Sequence, residues 1–100
     1  MPAYVIVEIN ITNPDKYEEV KSRTPATVKA YGGKYLARGG RSERLAGNWS
    51  PERLVILEFE STDRVKEWLD SPEYLPVKKI RDQSAEVSMV VVEGSSQSGI

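Results

Sequence analysis

One pattern is written twice in this chain. Val5-Ile6-Val7-Glu8-Ile9 returns fifty positions later as Val55-Ile56-Leu57-Glu58-Phe59. Each copy runs through a polar break into a helical pattern, first Tyr17-Glu18-Glu19-Val20 and then Val65-Lys66-Glu67-Trp68-Leu69. Two copies are too few for a solenoid, in which stacked repeats bury one another's apolar faces. The economical solution is a split βαβ unit, an α+β fold of ferredoxin-like βαββαβ order with a four-stranded antiparallel sheet.

The 100 residues, 39% of them hydrophobic, suffice for one compact domain and show no internal shift of composition. The expected boundaries are a single domain over 1–94 and a flexible tail over 95–100, where the run Ser95-Ser96-Gln97-Ser98-Gly99-Ile100 offers almost nothing to bury. No apolar run approaches the ~20 residues that cross a bilayer, and no basic segment leads into an apolar signal core. The expected compartment is the cytoplasm, and no membrane partner is expected.

Absences narrow the chemistry. With no Cys and no His, thiolate zinc sites, imidazole acid/base catalysis, His-activated nucleophiles and axial His ligation of haem are all excluded. Neither a metal nor a cofactor is expected. Proton transfer would have to use Glu, Asp, Lys, Tyr or a substrate group. Fourteen basic residues against fifteen acidic ones give no excess of positive charge for nucleic acid to exploit. The third strand, Arg53 to Phe59, also lacks the interleaved aromatics on which RNA bases stack.

Strand one is expected over Ala3 to Ile11, with Val5, Val7, Ile9 and Ile11 on one face and Tyr4, Ile6, Glu8 and Asn10 on the other. Asn13-Pro14-Asp15 reads as a helix cap, a proline at the first helical position and an acid at the positive end of the dipole. Helix one carries Tyr17, Val20, Val28 and Tyr31 at helical spacing, and Pro25 is expected to kink or split it. Gly32-Gly33 ends it. Strand two spans Lys34 to Arg38, and Ser42 to Leu45 is expected to add a short further strand. After a loop around Trp49 comes strand three, Arg53 to Glu60. Helix two follows, capped by Ser61 or Thr62, with Val65, Trp68 and Leu69 on its buried stripe. Ser71-Pro72 opens a short helical segment that Pro76 is expected to interrupt, and Val87 to Glu93 forms the last strand.

Two helices cover one face of such a sheet, so the other face of a monomer should be polar. Here it is not: Tyr4, Ile6, Leu54 and Ile56 lie opposite Val5, Val7, Val55 and Leu57. A bare apolar row marks an interaction surface, and the expected partner is a second copy, packed sheet to sheet.

Taken as an ordered set, the Ala-Tyr-Val-Ile-Val-Glu strand, Gly32-Gly33, Arg38-Gly39-Gly40, Pro51-Glu52-Arg53-Leu54-Val55, Glu58-Phe59 and Ser71-Pro72-Glu73-Tyr74 with Arg81 resemble domain-of-unknown-function family 1330, of the dimeric α+β barrel superfamily. The resemblance covers residues 2 to 94 and implies a ferredoxin-like subunit that pairs through its sheet into a barrel-like homodimer. Superfamily relatives include cofactor-free monooxygenases, haem-handling enzymes and lactone isomerases, so the resemblance implies a fold without implying one activity.

Several residues can carry chemistry, each with a plain alternative. Glu8 and Glu58 occupy equivalent strand positions on one sheet face. A carboxylate among apolar neighbours becomes an acid/base, but the same residue paired with an arginine only fixes register. Arg38, ahead of two glycines, suits a carboxylate or phosphate, or else ends a strand with a salt bridge. Trp68 belongs to the core of helix two or to a ligand wall. Trp49 is a lid or a dimer contact. Tyr74 and Arg81, seven positions apart, share a helix face and either close a pocket or anchor the segment. One reading is a homodimer with a small-molecule pocket between sheet and helices in each subunit. In it Arg38 and Arg81 bind an anionic or carbonyl group, Trp68, Tyr74 and Trp49 contribute to ligand binding, and Glu58 with Arg38 is catalytic in a cofactor-free proton transfer or oxygenation. The other reading is a non-catalytic homodimeric interaction module.

Overall fold

A computed structural model describes residues 1–95, so the tail expected over 95–100 falls, apart from Ser95, outside the described residues. The elements are β1 (Ala3–Ile11), α1 (Pro14–Ala30), β2 (Lys34–Arg38), β3 (Arg53–Phe59), α2 (Thr62–Leu69), α3 (Leu75–Ser84) and β4 (Ala85–Glu93). All neighbouring strands are antiparallel, in the order β2-β3-β1-β4, which is the ferredoxin-like sheet.

Strict alternation decides which sheet face meets the helices. Ala3, Val5, Val7 and Ile9 of β1 are buried with Val55, Leu57 and Phe59 of β3, while Tyr4, Ile6, Leu54 and Ile56 point the other way and stay partly exposed. The helices seat on the buried face through Tyr17, Val20 and Val28 of α1, Val65 and Trp68 of α2, and Val77 of α3. Val90 and Val92 of β4 pair with Ile6 and Tyr4, and are 60% and 51% exposed. The open face is therefore apolar across three strands.

The caps follow the sequence. Asn13 Oδ1 accepts from the Lys16 amide at 3.2 Å, and Ser61 Oγ accepts from the Arg64 amide at 3.1 Å, each satisfying a first-turn N–H that the helix leaves unpaired. At the far end of α1, Gly32 takes φ +78° and the Gly33 amide donates to the Val28 carbonyl. Gly33 is needed for a separate reason: a Cβ there would lie 2.6 Å from the Phe59 ring and 2.9 Å from Val28.

Three local expectations are corrected. Pro25 does not split α1, which is one helix from Pro14 to Ala30. Pro76 does not interrupt α3, because the helix begins at Leu75 and the proline falls in its first turn, where a missing N–H costs nothing. Ser42 to Leu45 forms no strand: the chain from Gly40 to Ser50 is irregular and exposed. Its charged residues Arg41, Glu43 and Arg44 leave no apolar alternation to bury, and the turn at Gly39, with φ +68°, carries the chain away from the sheet edge.

Gly33→Ala should cost about 1–3 kcal/mol of unfolding free energy through overpacking. Gly40→Ala, where a Cβ meets nothing within 4 Å, should stay within about 0.5 kcal/mol. Urea titrations with unchanged slope test both, and equal losses would refute the packing assignment.

Candidate functional site

A cavity of about 50 Å³ lies between the sheet's covered face, α1 and α3. Val7, Ile9, Val55, Leu57, Val87 and Met89 supply an apolar floor. Over this floor stand three arginines, Arg38, Arg53 and Arg81, and three tyrosines, Tyr17, Tyr35 and Tyr74, with Thr24 and Lys21 beside them. Among the described residues no carboxylate lines it.

Arg38 reaches the cavity through an irregularity. Counting alternately from Tyr35 would put Arg38 on the opposite sheet face. A register shift between Tyr35 and Ala37 leaves Tyr35 opposite Leu57 and Arg38 opposite Val55, so both face the covered side. Bulges beside sites re-aim side chains in this way. The guanidinium lies 4.9 Å from the centre of the Tyr35 ring, and its Nη2 donates to the Lys21 carbonyl at 2.6 Å. That carbonyl is the one to which residue 25 would donate in an unbroken helix, and Pro25 has no N–H. The proline thus frees an acceptor and Arg38 takes it, which accounts both for the intact helix and for the position of the arginine.

Arg53 keeps the phase of Val55, Leu57 and Phe59 and so points into the covered side. A Cβ at Gly39 would meet the Arg53 guanidinium, the movable end of that side chain, so it is the positive φ that favours glycine here. Arg53 Nε is buried with no acceptor among the described residues. Arg81 is better provided: Nη1 donates to the Tyr74 hydroxyl at 3.1 Å, while Nε and Nη2 donate to Asp82 Oδ1 at 3.0 and 2.9 Å. Burial alone would lower the Arg81 pKa, but Tyr74 and Asp82 outweigh it and the net direction is upward.

The tyrosines are held neutral. Burial raises Tyr17, Tyr35 and Tyr74 above the ordinary phenol value, against the opposing pull of the arginines. Tyr17 is the most central, since Arg53, Arg81 and Arg38 all act on it. It is buried, and its hydroxyl makes no hydrogen bond among the described residues.

Of the residues singled out in the sequence, Arg38, Trp68, Tyr74 and Arg81 meet at this cavity. Trp68 is at once core and wall, as its indole N–H donates to Thr27 Oγ1 at 3.0 Å and its ring lies 4.6 Å from that of Tyr74. Glu58 does not join them. It stands on the open sheet face opposite Tyr4, with Lys34 Nζ at 3.9 Å, and cannot serve this cavity as acid or base. Trp49 is also elsewhere: it is 57% exposed in the β2–β3 loop, and its indole N–H donates to Glu8 Oε2 at 3.2 Å. Arg53, Tyr17 and Tyr35 were not singled out. Arg53 was legible as a cation in phase with an apolar strand stripe, and Tyr17 as a phenol on the buried stripe of α1.

The sequence profile described as a domain of unknown function, DUF1330, matches residues 2–95. The chain belongs to the DUF1330 family. No curated protein matches it. Among solved structures, a protein of unknown function from Rhodopseudomonas palustris superposes with a TM-score of 0.79 at 15% identity, covering 96% of this chain and 84% of that one. SnoaB, a cofactor-independent oxygenase from Streptomyces nogalater, gives 0.64 at 13% identity, covering 99% and 98%. A protein of unknown function from Bacteroides thetaiotaomicron, described as a possible oxidoreductase, gives 0.66 at 13%, covering 93% and 97%. At such identities the likeness is one of fold: an α+β subunit with a four-stranded antiparallel sheet and its helices on one face.

A double-mutant cycle tests the link between Pro25 and Arg38. Arg38→Met should cost about 0.5–1.5 kcal/mol, the net worth of the hydrogen bond to the Lys21 carbonyl, which is open to solvent. In the Pro25→Ala background, where the helix supplies that donor, the same change should cost less, with a coupling of about 0.5–1.5 kcal/mol read by denaturant unfolding. Additive costs would break the link.

Proposed function

We propose that the protein binds a small anionic or carbonyl compound in the cavity between sheet and helices, and that it works as a homodimer. The observation that carries the first part is the convergence of three guanidiniums on an apolar cavity whose described wall holds no carboxylate. Of the three, only Arg81 has a carboxylate within salt-bridge distance among the described residues. Arg38 is exposed, but Arg53 is partly buried, and partly burying a guanidinium without counter-charge weakens a fold, a cost that a bound anion offsets. A concave apolar framework with a few convergent polar groups is also the usual form of a small-molecule site.

If catalysis occurs here, the described wall offers phenols and Lys21 for proton transfer, since Glu58 lies on the far face and the chain has no His or Cys. The fold similarity to SnoaB supports a cofactor-free enzyme as one form of this reading. A non-catalytic module is the other. Glu8, Glu58 and Arg38 do not pair with one another, and an open cavity remains beside Arg38. This favours the binding site.

Arg53→Met separates a functional arginine from a structural one. Removing a charge without a counter-charge should leave the unliganded protein as stable as before, or about 1 kcal/mol more stable, while weakening binding of small carboxylates at least about tenfold. Thermal unfolding together with ligand-observed NMR reads both. A large loss of stability with binding intact would assign Arg53 to the fold and remove the principal support for the site.

The dimer rests on the open face, where Tyr4, Ile6, Leu54, Ile56, Val90 and Val92 form an apolar surface no helix covers. Exposed apolar area costs roughly 25 cal/mol per Å², and a second sheet would remove that cost. Light scattering on a sizing column should give twice the 11.2 kDa chain mass. Ile56→Lys should yield monomer or aggregate, and Lys29→Glu, on an exposed turn of α1, should change nothing. A stable wild-type monomer would overturn the assembly.

A further inference from the structure

We infer that the ligand is a short-chain carboxylate of roughly two to four carbons, and that the Tyr17 hydroxyl is one of the donors that hold it. The inference rests on the anion-site reading above and narrows it by size, shape and hydrogen bonding.

Size comes first. A dry cavity of about 150 Å³ is what one benzene ring fills in a protein core. The space here is about 50 Å³, a third of that. The cavity is open on one side, so this space seats a carboxylate head with a short stem between the walls, and an aromatic ring would have to stand partly in the mouth. Val87 and Met89 of β4 set the limit on one side and Trp68 with Tyr74 on another.

Shape and polarity select the head group. The floor of Val7, Ile9, Val55 and Leu57 offers nothing to a fully hydrated tetrahedral oxyanion but suits the carbon stem of an organic acid. Guanidinium forks match the planar carboxylate, with two parallel N–H···O bonds available from one arginine. Arg53 has no anionic partner among the described residues, and Arg38 is bonded to a neutral carbonyl, so both retain charge for a ligand.

Tyr17 completes the set. Its ring is packed against the core, so the hydroxyl is fixed in place, and that hydroxyl lacks a partner among the described residues. It is an O–H donor, kept protonated by burial, among three cations. Such a group adds a hydrogen bond to a carboxylate or to the 2-oxo oxygen beside it, and adds nothing for an apolar molecule.

The experiment is a binding series by ligand-observed NMR and calorimetry on the full chain, using propionate, pyruvate, benzoate and inorganic phosphate. Propionate and pyruvate should bind saturably, with benzoate and phosphate at least about tenfold weaker. Tyr17→Phe, which removes one oxygen and keeps the packing, should weaken pyruvate about tenfold. Met89→Ala should narrow the gap between benzoate and pyruvate. Benzoate binding the wild type as tightly as propionate, in an Arg53-dependent way, overturns the size class while leaving the anion site standing. Preference for phosphate overturns the carboxylate assignment, and an unchanged pyruvate affinity in Tyr17→Phe overturns the role of Tyr17. If none of the four binds, the anion site and this inference fall together.

Discussion

The Trp68 indole holds together the parts of this molecule that must not move independently. Its ring packs 5.2 Å from Phe59 on the sheet and 4.6 Å from Tyr74 at the entrance to α3, while its N–H reaches Thr27 on α1. One side chain therefore contacts the sheet and two helices besides its own. The turn between α2 and α3 depends on the same residue: Ser71 Oγ donates to the Trp68 carbonyl at 2.7 Å and accepts from the Tyr74 amide at 3.1 Å. Tyr74 in turn accepts from Arg81. The order of the cavity wall is thus inherited from the core, and a large aromatic with a satisfied N–H is well suited to transmit it.

The cavity's polar groups are supported unequally, and the inequality is informative. Arg81 has a carboxylate and a phenol, Arg38 has a helix carbonyl and an aromatic face, and Arg53 has a buried Nε without an acceptor. A fold selected only for stability would replace a partly buried, unpaired cation by an apolar residue at little cost. Arg53 nonetheless keeps its guanidinium beside Gly39, a position that its positive φ already assigns to glycine.

Much of the architecture was legible because it is written in periods. The alternation of Val5, Val7 and Ile9 with Tyr4, Ile6 and Glu8 separates the two faces, and the packing of the helices decides which is covered; Asn13-Pro14 marks one helix start and Ser61 or Thr62 the next, where Ser61 is the cap. What alternation could not reveal was the irregular residue. The shift at Leu36 turns Arg38 to the cavity side, whereas Glu58, on an unbroken strand, keeps its phase and stays on the open face. Pro25 misled in the opposite sense: read locally it breaks a helix, but the carbonyl it frees is satisfied by a residue on β2, a contact that only the tertiary fold supplies. Arg53 was overlooked although its phase was visible, because an arginine at the start of a strand ordinarily reads as an exposed end.

The two faces of the sheet divide the polar residues into sets that cannot exchange roles. At the cavity on the covered face the charges are cationic, and the hydroxyls are three phenols and that of Thr24. On the open face stand Glu8 and Glu58, with Trp49 and Lys34 as their partners, among Tyr4, Ile6, Leu54 and Ile56. A carboxylate in the cavity would neutralise an arginine and compete with any anionic ligand. A carboxylate on an apolar surface does something else, since burying it against another protein is costly unless a partner is in place. Glu8 and Glu58 therefore restrict which surface can cover this face and in what register, while the cavity is left free of negative charge. The repeat thus places a glutamate at the same point of both strands on the open face, while the irregularities at Leu36 and Pro25, which break the repeat's symmetry, bring Arg38 to the cavity.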